Sequence, residues 1–431
     1  MKLFGSMQTE ENQLLIGGVK ATELTREFKT PLYVMDEGLI RENCKEFFNS
    51  FKCEENGNRV TYAGKAFITG WMCKIIKEEG LYLDVVSGGE LYTAYRSEFP
   101  LEKVLFHGNN KTLEEIELGI KLGVGVFVVD NMYEIENLDK IAKKYDKIQK
   151  VYMRITPGVE AHTHEYIKTG QIDSKFGFTP LDNNIINSVK EVLSYENIEL
   201  SGLHCHIGSQ IFELEPFEDA AEIMLNFIND IKEETGHTIK DLDLGGGFGI
   251  YYVEGDTPKK IKEYCNAILE KTRKVCHNLN MEIPNLVIEP GRSIVGNAGT
   301  TLYTAGSIKD IKDVRKYVSV DGGMTDNIRT ALYDAEYECI VSNNVLDDIT
   351  EEVTICGKCC ESGDILIKDI RLPKINSGDI IAIPTTGAYC FSMASNYNKI
   401  PKGAVVSVMD GEAKLVCKRE SYEDIIKNEV I

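Results

Sequence analysis

The sequence predicts a closed (β/α)8 barrel of the TIM type followed by a C-terminal all-β domain, a Greek-key barrel or sandwich. Three observations carry this. Between residues 60 and 288, eight short β-branched or apolar runs alternate with amphipathic helical stretches, the pattern of a parallel sheet with helices outside. After about residue 298 the long helical stretches cease and closely spaced β-rich runs follow. The side chains able to do chemistry fall at the C-terminal ends of the eight runs, where such barrels carry their sites.

The eight runs are Val60–Ala63, Tyr82–Val86, Val104–His107, Val126–Val129, Val151–Ile155, Leu200–His204, Leu242–Leu244 and Leu286–Ile288. Helical stretches such as Thr112–Leu122 and Pro216–Glu234 separate them. The later β-rich runs are Tyr317–Gly323, Glu352–Ile355, Asp364–Ile367, Asp379–Ile383 and Ala404–Val408, and Leu14–Ile16 is a candidate to join them. The expected division is a barrel over 36–297 and a β-domain built from 1–35 and 298–431.

With 431 residues, 43% apolar and 27% charged, the chain can bury a full core. A net charge of −20 argues against nucleic acid, which rewards basic stripes. No apolar run approaches the roughly 20 residues that span a bilayer, so no membrane partner is expected. The start, Met1 to Met7, is too short for a signal peptide. Twelve cysteines without a secretory signal read as reduced thiols of a cytoplasmic protein. Cys356, Cys359 and Cys360 form a C-x-x-C-C run, but no second ligand pair follows and no metal is expected.

Lys65 ends the first barrel run, in Tyr62-Ala63-Gly64-Lys65-Ala66, and Glu289 ends the last, in Leu286-Val287-Ile288-Glu289-Pro290-Gly291-Arg292. Between them lie His204-Cys205-His206-Ile207-Gly208-Ser209 and Gly245-Gly246-Gly247. An amine, a carboxylate, a flat imidazole and a glycine-rich anion cradle are the parts that hold pyridoxal 5'-phosphate. Lys65 fits the covalent anchor. Gly245 to Gly247 can bring backbone N–H groups to a phosphate, with Ser209 and Arg292 as added donors. A carboxylate such as Glu289 at the ring nitrogen keeps the ring protonated and favours decarboxylation, where an arginine would suit racemisation. His206 is a candidate to stack on the ring.

These residues resemble the barrel-type, alanine-racemase-like pyridoxal-phosphate decarboxylases, and the resemblance covers nearly the whole chain. Beyond the lysine segment it rests on Asp84-Val85-Val86-Ser87-Gly88-Gly89-Glu90-Leu91, His107-Gly108-Asn109-Asn110-Lys111, Ser174-Lys175-Phe176-Gly177, Gly202 to Gln210 and Glu289-Pro290-Gly291-Arg292. In the later half it rests on Asp321 to Arg329, Cys360-Glu361-Ser362-Gly363-Asp364, Gly387-Ala388-Tyr389 and Ser392 to Asn398. It implies Lys65 as the Schiff-base lysine and His206 as the stacking residue. It implies Ser209, Gly246, Gly247 and Tyr389 at the phosphate and Glu289 at the ring nitrogen. Arg292, Arg329, Tyr333, Glu361 and Tyr389 are implied at the substrate. Cys360 is implied as the proton donor, supplied across a homodimer with shared sites. The implied reaction is conversion of meso-2,6-diaminopimelate to L-lysine and carbon dioxide. The alternative within the fold is a decarboxylase of ornithine, arginine or a carboxylated polyamine. Phe67 stands where the family usually has asparagine, and Lys358 where proline is common.

Overall fold

The computed structural model describes residues 2–53, 57–159, 174–179 and 184–430. The segment His162–Tyr166, considered as a closing loop on sequence grounds, lies outside the described residues. The chain divides into two compact units. One comprises Met1–Glu42, Ile250–Thr257 and Ser293–Ile431, and the other Asn43–Gly249 and Pro258–Arg292.

The N-terminal segment forms β1 (Gln8–Glu10), β2 (Gln13–Ile16) and β3 (Val19–Lys20), then α1 (Ala21–Phe28), β4 (Leu32–Asp36) and α2 (Glu37–Ser50). The barrel strands follow: β5 (Arg59–Ala63), β6 (Tyr82–Val85), β7 (Val104–Phe106), β8 (Val126–Val129), β9 (Gln149–Arg154), β10 (Ile198–His204), β11 (Asp241–Asp243) and β12 (Asn285–Ile288). They pair in parallel in sequence order, and β12 returns to β5 to close the cylinder. The helices between them are α3 (Gly70–Glu78), α4 (Gly88–Arg96), α5 (Leu113–Leu122), α6 (Met132–Lys144), α7 (Asn184–Val192), α8 (Glu215–Thr235) and α9 (Ile261–Leu279). All eight expected runs are strands, with starts or ends displaced by one or two residues.

Local chemistry explains the helix starts. Thr112 caps α5 in a full capping box with Glu115, which satisfies two of the backbone donors a helix start leaves orphaned. Pro216 sits in the first turn of α8, where its missing N–H costs nothing. Ser87 caps α4 by accepting from the Glu90 N–H.

The N-terminal mouth of the barrel is held by a polar knot. Asp241 of β11 pairs with Arg59 of β5, accepts from the Tyr152 hydroxyl of β9 at 2.9 Å and from the Asn285 amide of β12 at 2.9 Å. Gly202 of β10 has to be glycine, because a Cβ would lie 2.5 Å from the Tyr152 ring.

The other unit is β-rich. After α10 (Arg292–Val295) come β13 (Gly299–Ile311), β14 (Arg315–Val320), α11 (Arg329–Tyr333), β15 (Ile340–Val341), β16 (Ile349–Cys356), β17 (Ile365–Pro373), β18 (Ile380–Pro384), β19 (Ala404–Met409) and β20 (Glu412–Cys417). The sheet order is β17-β16-β14-β13-β4-β19-β20, with β18 also on β13 and β15 on β18.

Leu14–Ile16 lies in the β-rich unit, where Leu14 and Ile16 pack into a core with Val34, Leu302 and Val406, although it pairs within its own three strands, β1-β2-β3, and not in the main sheet. Two features differ from the expected organisation. The N-terminal strand that does join is β4, paired with β13 and β19. The segment Ile250–Thr257, expected within the barrel, belongs to the β-rich unit because Ile250 and Tyr252 bury in its core beside Tyr303, Val318 and Ile355.

Asp241→Ala should leave the half-buried Arg59 guanidinium and the buried Tyr152 hydroxyl without this acceptor. Removing one member of a partly buried pair costs about 3 kcal/mol, so calorimetry of the protein should show a clear fall in Tm. An unchanged Tm would show that closure rests on the backbone ladder alone.

Candidate active site

At the C-terminal ends of the barrel strands the chain collects one amine, several carboxylates and three imidazoles. Lys65 sits in a 3-10 turn, Gly64–Ala66, directly after β5. Its neighbours Gly64 and Ala66 are buried while Lys65 itself is exposed. The turn is fixed by the Tyr62 hydroxyl, which donates to the Phe67 carbonyl at 2.7 Å. It also packs tightly on β6, since a Cβ on Gly64 would come 2.7 Å from the Asp84 carbonyl. Phe67, the departure from the family pattern, is a core residue packed edge-on to Trp71.

Glu289 follows β12 and is buried. Its Oε1 lies 2.7 Å from His107 Nε2, and its Oε2 lies 3.3 Å from His204 Nε2. Asp84 Oδ1 stands 3.9 Å from the same His107 nitrogen. Burial alone would raise the Glu289 carboxyl, but the two imidazoles hold it well below the ordinary carboxylate value. Asp243, last in β11, is pushed well above its ordinary value by burial and by the Glu289 charge. Its Oδ1 accepts the Gly245 N–H at 2.9 Å.

His206 is half-buried, and burial with the nearby Lys65 charge holds it well below the ordinary histidine value. The Gly246 N–H donates to its Nδ1 at 3.2 Å. That contact makes Nδ1 an acceptor and assigns the ring proton to Nε2. The triple glycine is required by crowding. A Cβ on Gly246 would overlap the Glu289 carbonyl, and Gly247 has φ +114° with the Gly208 carbonyl 2.6 Å from its would-be Cβ. Ser209 and Arg292, both expected as added phosphate donors, meet: Arg292 donates to the Ser209 oxygen from Nε at 3.3 Å and from Nη2 at 3.0 Å. With its oxygen accepting, the Ser209 hydroxyl is left to act as a donor.

Glu90 lies near this cluster. Its Oε2 accepts the Val86 N–H at 2.7 Å, yet burial pushes its carboxyl up to about 7, with the Asp84 charge adding to the rise. Lys111 plays a supporting part. Its ammonium is fully buried, pairs with Glu134 at 2.6 Å and donates to the Val128 and Gly108 carbonyls, tying the loop after β7 to the end of β8.

The remaining expected site residues belong to the β-rich unit. Arg329 is buried, and among the described residues it forms no ion pair. Its Nη1 donates instead to the hydroxyls of Tyr252, at 3.0 Å, and Tyr337. Tyr333, expected beside it, is only half-buried at the end of α11, and the phenols that reach Arg329 are Tyr252 and Tyr337. Cys360 and Glu361 are exposed. The Cys360 N–H donates to Asn398 Oδ1 at 2.8 Å. Asp364 binds the same loop to the turn before α11, accepting from the Cys359 N–H at 2.8 Å and the Met324 N–H at 2.6 Å. Tyr389 is half-buried at φ +63°. Cys356, Cys359 and Cys360 are free thiols. Lys358, the second departure from the family pattern, donates its N–H to the Gly322 carbonyl at 2.9 Å, a bond that a proline there could not make.

The sequence reading assigned no role to Asp84, His107, His204, Tyr252, Tyr337 or Asp364. For the first three a signal was present, namely ionisable side chains at strand ends where burial is costly unless paired. The two tyrosines lie outside Arg329's motif, Tyr252 far from it in sequence, and carry no such signal.

The donor set fits pyridoxal 5'-phosphate. Glu289 is a buried carboxylate held ionised by its two imidazoles, as the partner of a ring N–H must be. The glycine turn and Ser209 offer donors for a phosphate.

A closed barrel with these groups at its strand ends defines a class of pyridoxal-phosphate enzymes, and comparison with known proteins agrees. A family model described as pyridoxal-dependent decarboxylase, pyridoxal binding domain, matches residues 37–296. The diaminopimelate decarboxylase of Bacillus subtilis (strain 168) is 50% identical over 422 residues, covering 98% of this chain and 96% of its own. The crystal structure of diaminopimelate decarboxylase from M. jannaschii in complex with L-lysine superposes with a TM-score of 0.93 at 36% identity, covering 99% of this chain and 98% of that one. The Helicobacter pylori diaminopimelate decarboxylase complexed with L-lysine gives 0.86 at 30% identity, covering 95% and 98%. The chain belongs to the pyridoxal-dependent decarboxylases, and within them to the diaminopimelate decarboxylase family.

Glu90 supplies a test of the electrostatics. Its folded pKa, about 7, exceeds its ordinary value, so its stability contribution is present below about pH 4.5 and lost as pH rises through 7. Glu90→Gln should match the wild type near pH 4.5 and exceed it above pH 7, by at most roughly 3 kcal/mol. Denaturant unfolding across that range measures the difference, and parallel curves at all pH values would refute the shift.

Proposed function

We propose that this chain decarboxylates meso-2,6-diaminopimelate to L-lysine and carbon dioxide with pyridoxal 5'-phosphate as cofactor. The observation that carries the substrate is Arg329, a buried guanidinium whose hydrogen-bond partners are neutral phenols. A buried cation with no counter-ion among the described residues calls for an anionic ligand group, and a distal carboxylate supplies one. The relatives from M. jannaschii and H. pylori, whose structures contain L-lysine, support the same product.

When bound, the cofactor supplies an electron sink for the pair released as the Cα–carboxylate bond breaks. Lys65 provides the amine that bonds its carbonyl carbon. Glu289, kept ionised by its two imidazoles, holds the proton on the ring nitrogen. His206, neutral with its tautomer fixed by Gly246, offers a flat face that adds no charge. Ser209, Gly246, Gly247 and Tyr389 take the phosphate, and the Arg292 guanidinium orients the Ser209 hydroxyl. Arg329 binds the distal carboxylate of the substrate, and Glu361 accepts its distal ammonium. The Cys360 thiol returns a proton to Cα, and the Asn398 and Asp364 contacts hold its loop in place.

The same reading has Cys360 and Glu361 act in the site of a second copy, making the protein a homodimer with shared sites, in the cytoplasm. The Cys360-Glu361-Ser362-Gly363-Asp364 segment, exposed at its tip and clamped at its base, supports that arrangement. No helix among the described residues is long and apolar enough to cross a membrane.

Carbon dioxide release from a panel of diaminopimelate, ornithine, arginine and carboxynorspermidine is the direct test. Ornithine and arginine would leave Arg329 unpaired, so diaminopimelate should dominate. Comparable kcat/KM for ornithine would sink the assignment in favour of a polyamine-type decarboxylase. Arg329→Ala should lower kcat/KM for diaminopimelate roughly 30- to 1000-fold, as loss of a bidentate carboxylate partner does, with little change in cofactor affinity. Co-refolded Lys65→Ala and Cys360→Ala chains, each nearly inactive alone, should regain activity through mixed dimers in which one site carries neither defect. Failure to recover despite proven subunit exchange would place both groups in one chain's site.

A further inference from the structure

His107 and His204 touch neither substrate nor cofactor in the roles described above, yet both contact Glu289. They come from separate strands. His107 follows β7, with its N–H donated to the Val85 carbonyl at 2.8 Å, and His204 is the last residue of β10. Both are buried, and their rings meet edge to face with centroids 5.0 Å apart and planes at 75°. The nitrogens of the two rings and an oxygen of Glu289 lie within 4.8 Å of one another.

The two imidazoles are not equivalent. His107 faces carboxylates on two sides, Glu289 at 2.7 Å and Asp84 at 3.9 Å, with the Arg154 cation of β9 as the opposing charge. The Asp84 and Glu289 charges raise its proton affinity despite burial. His204 has the Glu289 carboxylate at 3.3 Å, and burial lowers it to about 4. His107 is therefore the more basic ring and His204 the less basic, one on each oxygen of the same carboxylate. Asp243 at the end of β11 has its carboxyl raised by burial and by the Glu289 charge. The Lys65 charge also acts on Asp84, opposing the rise that burial imposes on it.

We propose that His107 and His204 are positioning residues that hold the Glu289 carboxylate ionised and oriented, so that the proton shared with the cofactor ring stays on the ring nitrogen. This rests on the reading of Glu289 as the ring-nitrogen partner and deepens it. The physical need is specific. A glutamate taken out of water gains basicity, and a basic enough carboxylate would take the proton from the ring it faces. The ring would then lose its positive charge and its power as an electron sink. A cation on Oε1 and a neutral N–H on Oε2 reverse that tendency without removing either oxygen from use, since each keeps a second lone pair. His107 supplies the charge and His204 the alignment.

The test uses the holoenzyme reconstituted with pyridoxal 5'-phosphate carrying 15N at the ring nitrogen. In the wild type the ring-nitrogen resonance should lie at the protonated position. Glu289→Gln should move it to the neutral position. His107→Gln should move it clearly in the same direction at unchanged pH, with kcat lowered and KM for substrate little altered. His204→Asn, which keeps an N–H donor, should leave the resonance near the wild-type position. A His107→Gln resonance at the wild-type position, with Glu289→Gln shifted, would overturn the proposal while leaving the role of Glu289 intact. An unshifted Glu289→Gln would overturn both. A second measurement needs no variant: imidazole signals of the wild-type protein should show His107 still protonated above the ordinary histidine value of about 6.5 and His204 neutral at that pH. A neutral His107 there would also overturn the proposal.

Discussion

Barrel closure between β12 and β5 is the contact on which the candidate site depends. The pairing of Val287 with Arg59 and of Ile288 with Val60 joins strands from opposite ends of the barrel sequence. It continues past the ladder, where the Ala63 N–H donates to the Pro290 carbonyl at 3.2 Å. Gly291 allows this, since its would-be Cβ lies 2.9 Å from the Ala63 side chain. The amine of Lys65 and the carboxylate of Glu289 thus come from adjacent strand ends as a direct result of the sheet closing. At the opposite mouth Asp241 draws β5, β9, β11 and β12 together through side chains, so the same seam is fixed from both ends.

Closing the barrel also crowds acids. Asp84, Asp243 and Glu289 sit on strands β6, β11 and just past β12, all buried. Three ionised carboxylates in so small a volume would repel one another strongly at low dielectric. The site resolves this unevenly. Asp243 is held towards its neutral form, Glu289 is ionised by its imidazoles, and Asp84 faces His107 and the Lys65 and Arg154 charges. Only one of the three is thereby made a firm anion, and it is the one at the strand end next to the lysine turn.

Strand existence was legible in the sequence because the barrel strands are short, apolar and separated by helices with clear caps, such as Thr112 and Glu115. Strand β13 was not legible. Its first five residues are buried and its later half is largely exposed, so neither an apolar run nor a clean alternation marks it. β4 was hidden for a similar reason, being five residues buried throughout beside a helix. In the site, Lys65, Glu289 and the glycine turn could be read from residue chemistry, because each is expensive at a strand end unless used. Arg329 was reachable only through the resemblance. Its real companions, Tyr252 and Tyr337, sit 77 and 8 residues away, in segments with no motif of their own. The same holds for the pairing of Ser209 with Arg292, which is set by tertiary geometry alone.

The β-rich unit is discontinuous, and this bears on how the chain emerges from the ribosome. β4 pairs with β13 and with β19, so Leu32 finds its neighbours at Leu302 and Ala404. Contacts that span so much of a chain form late, because the intervening segment must first be ordered. Every barrel strand is synthesised before the first of those partners exists. The apolar stretch Leu32-Tyr33-Val34-Met35 therefore waits, unpaired, through translation of the whole barrel. It is a strand edge whose sheet partners appear only in the last third of the chain, and unpaired edges of this kind are where nascent chains aggregate. Yield in a heterologous host should thus be governed less by barrel stability than by how well chaperones shield this early segment.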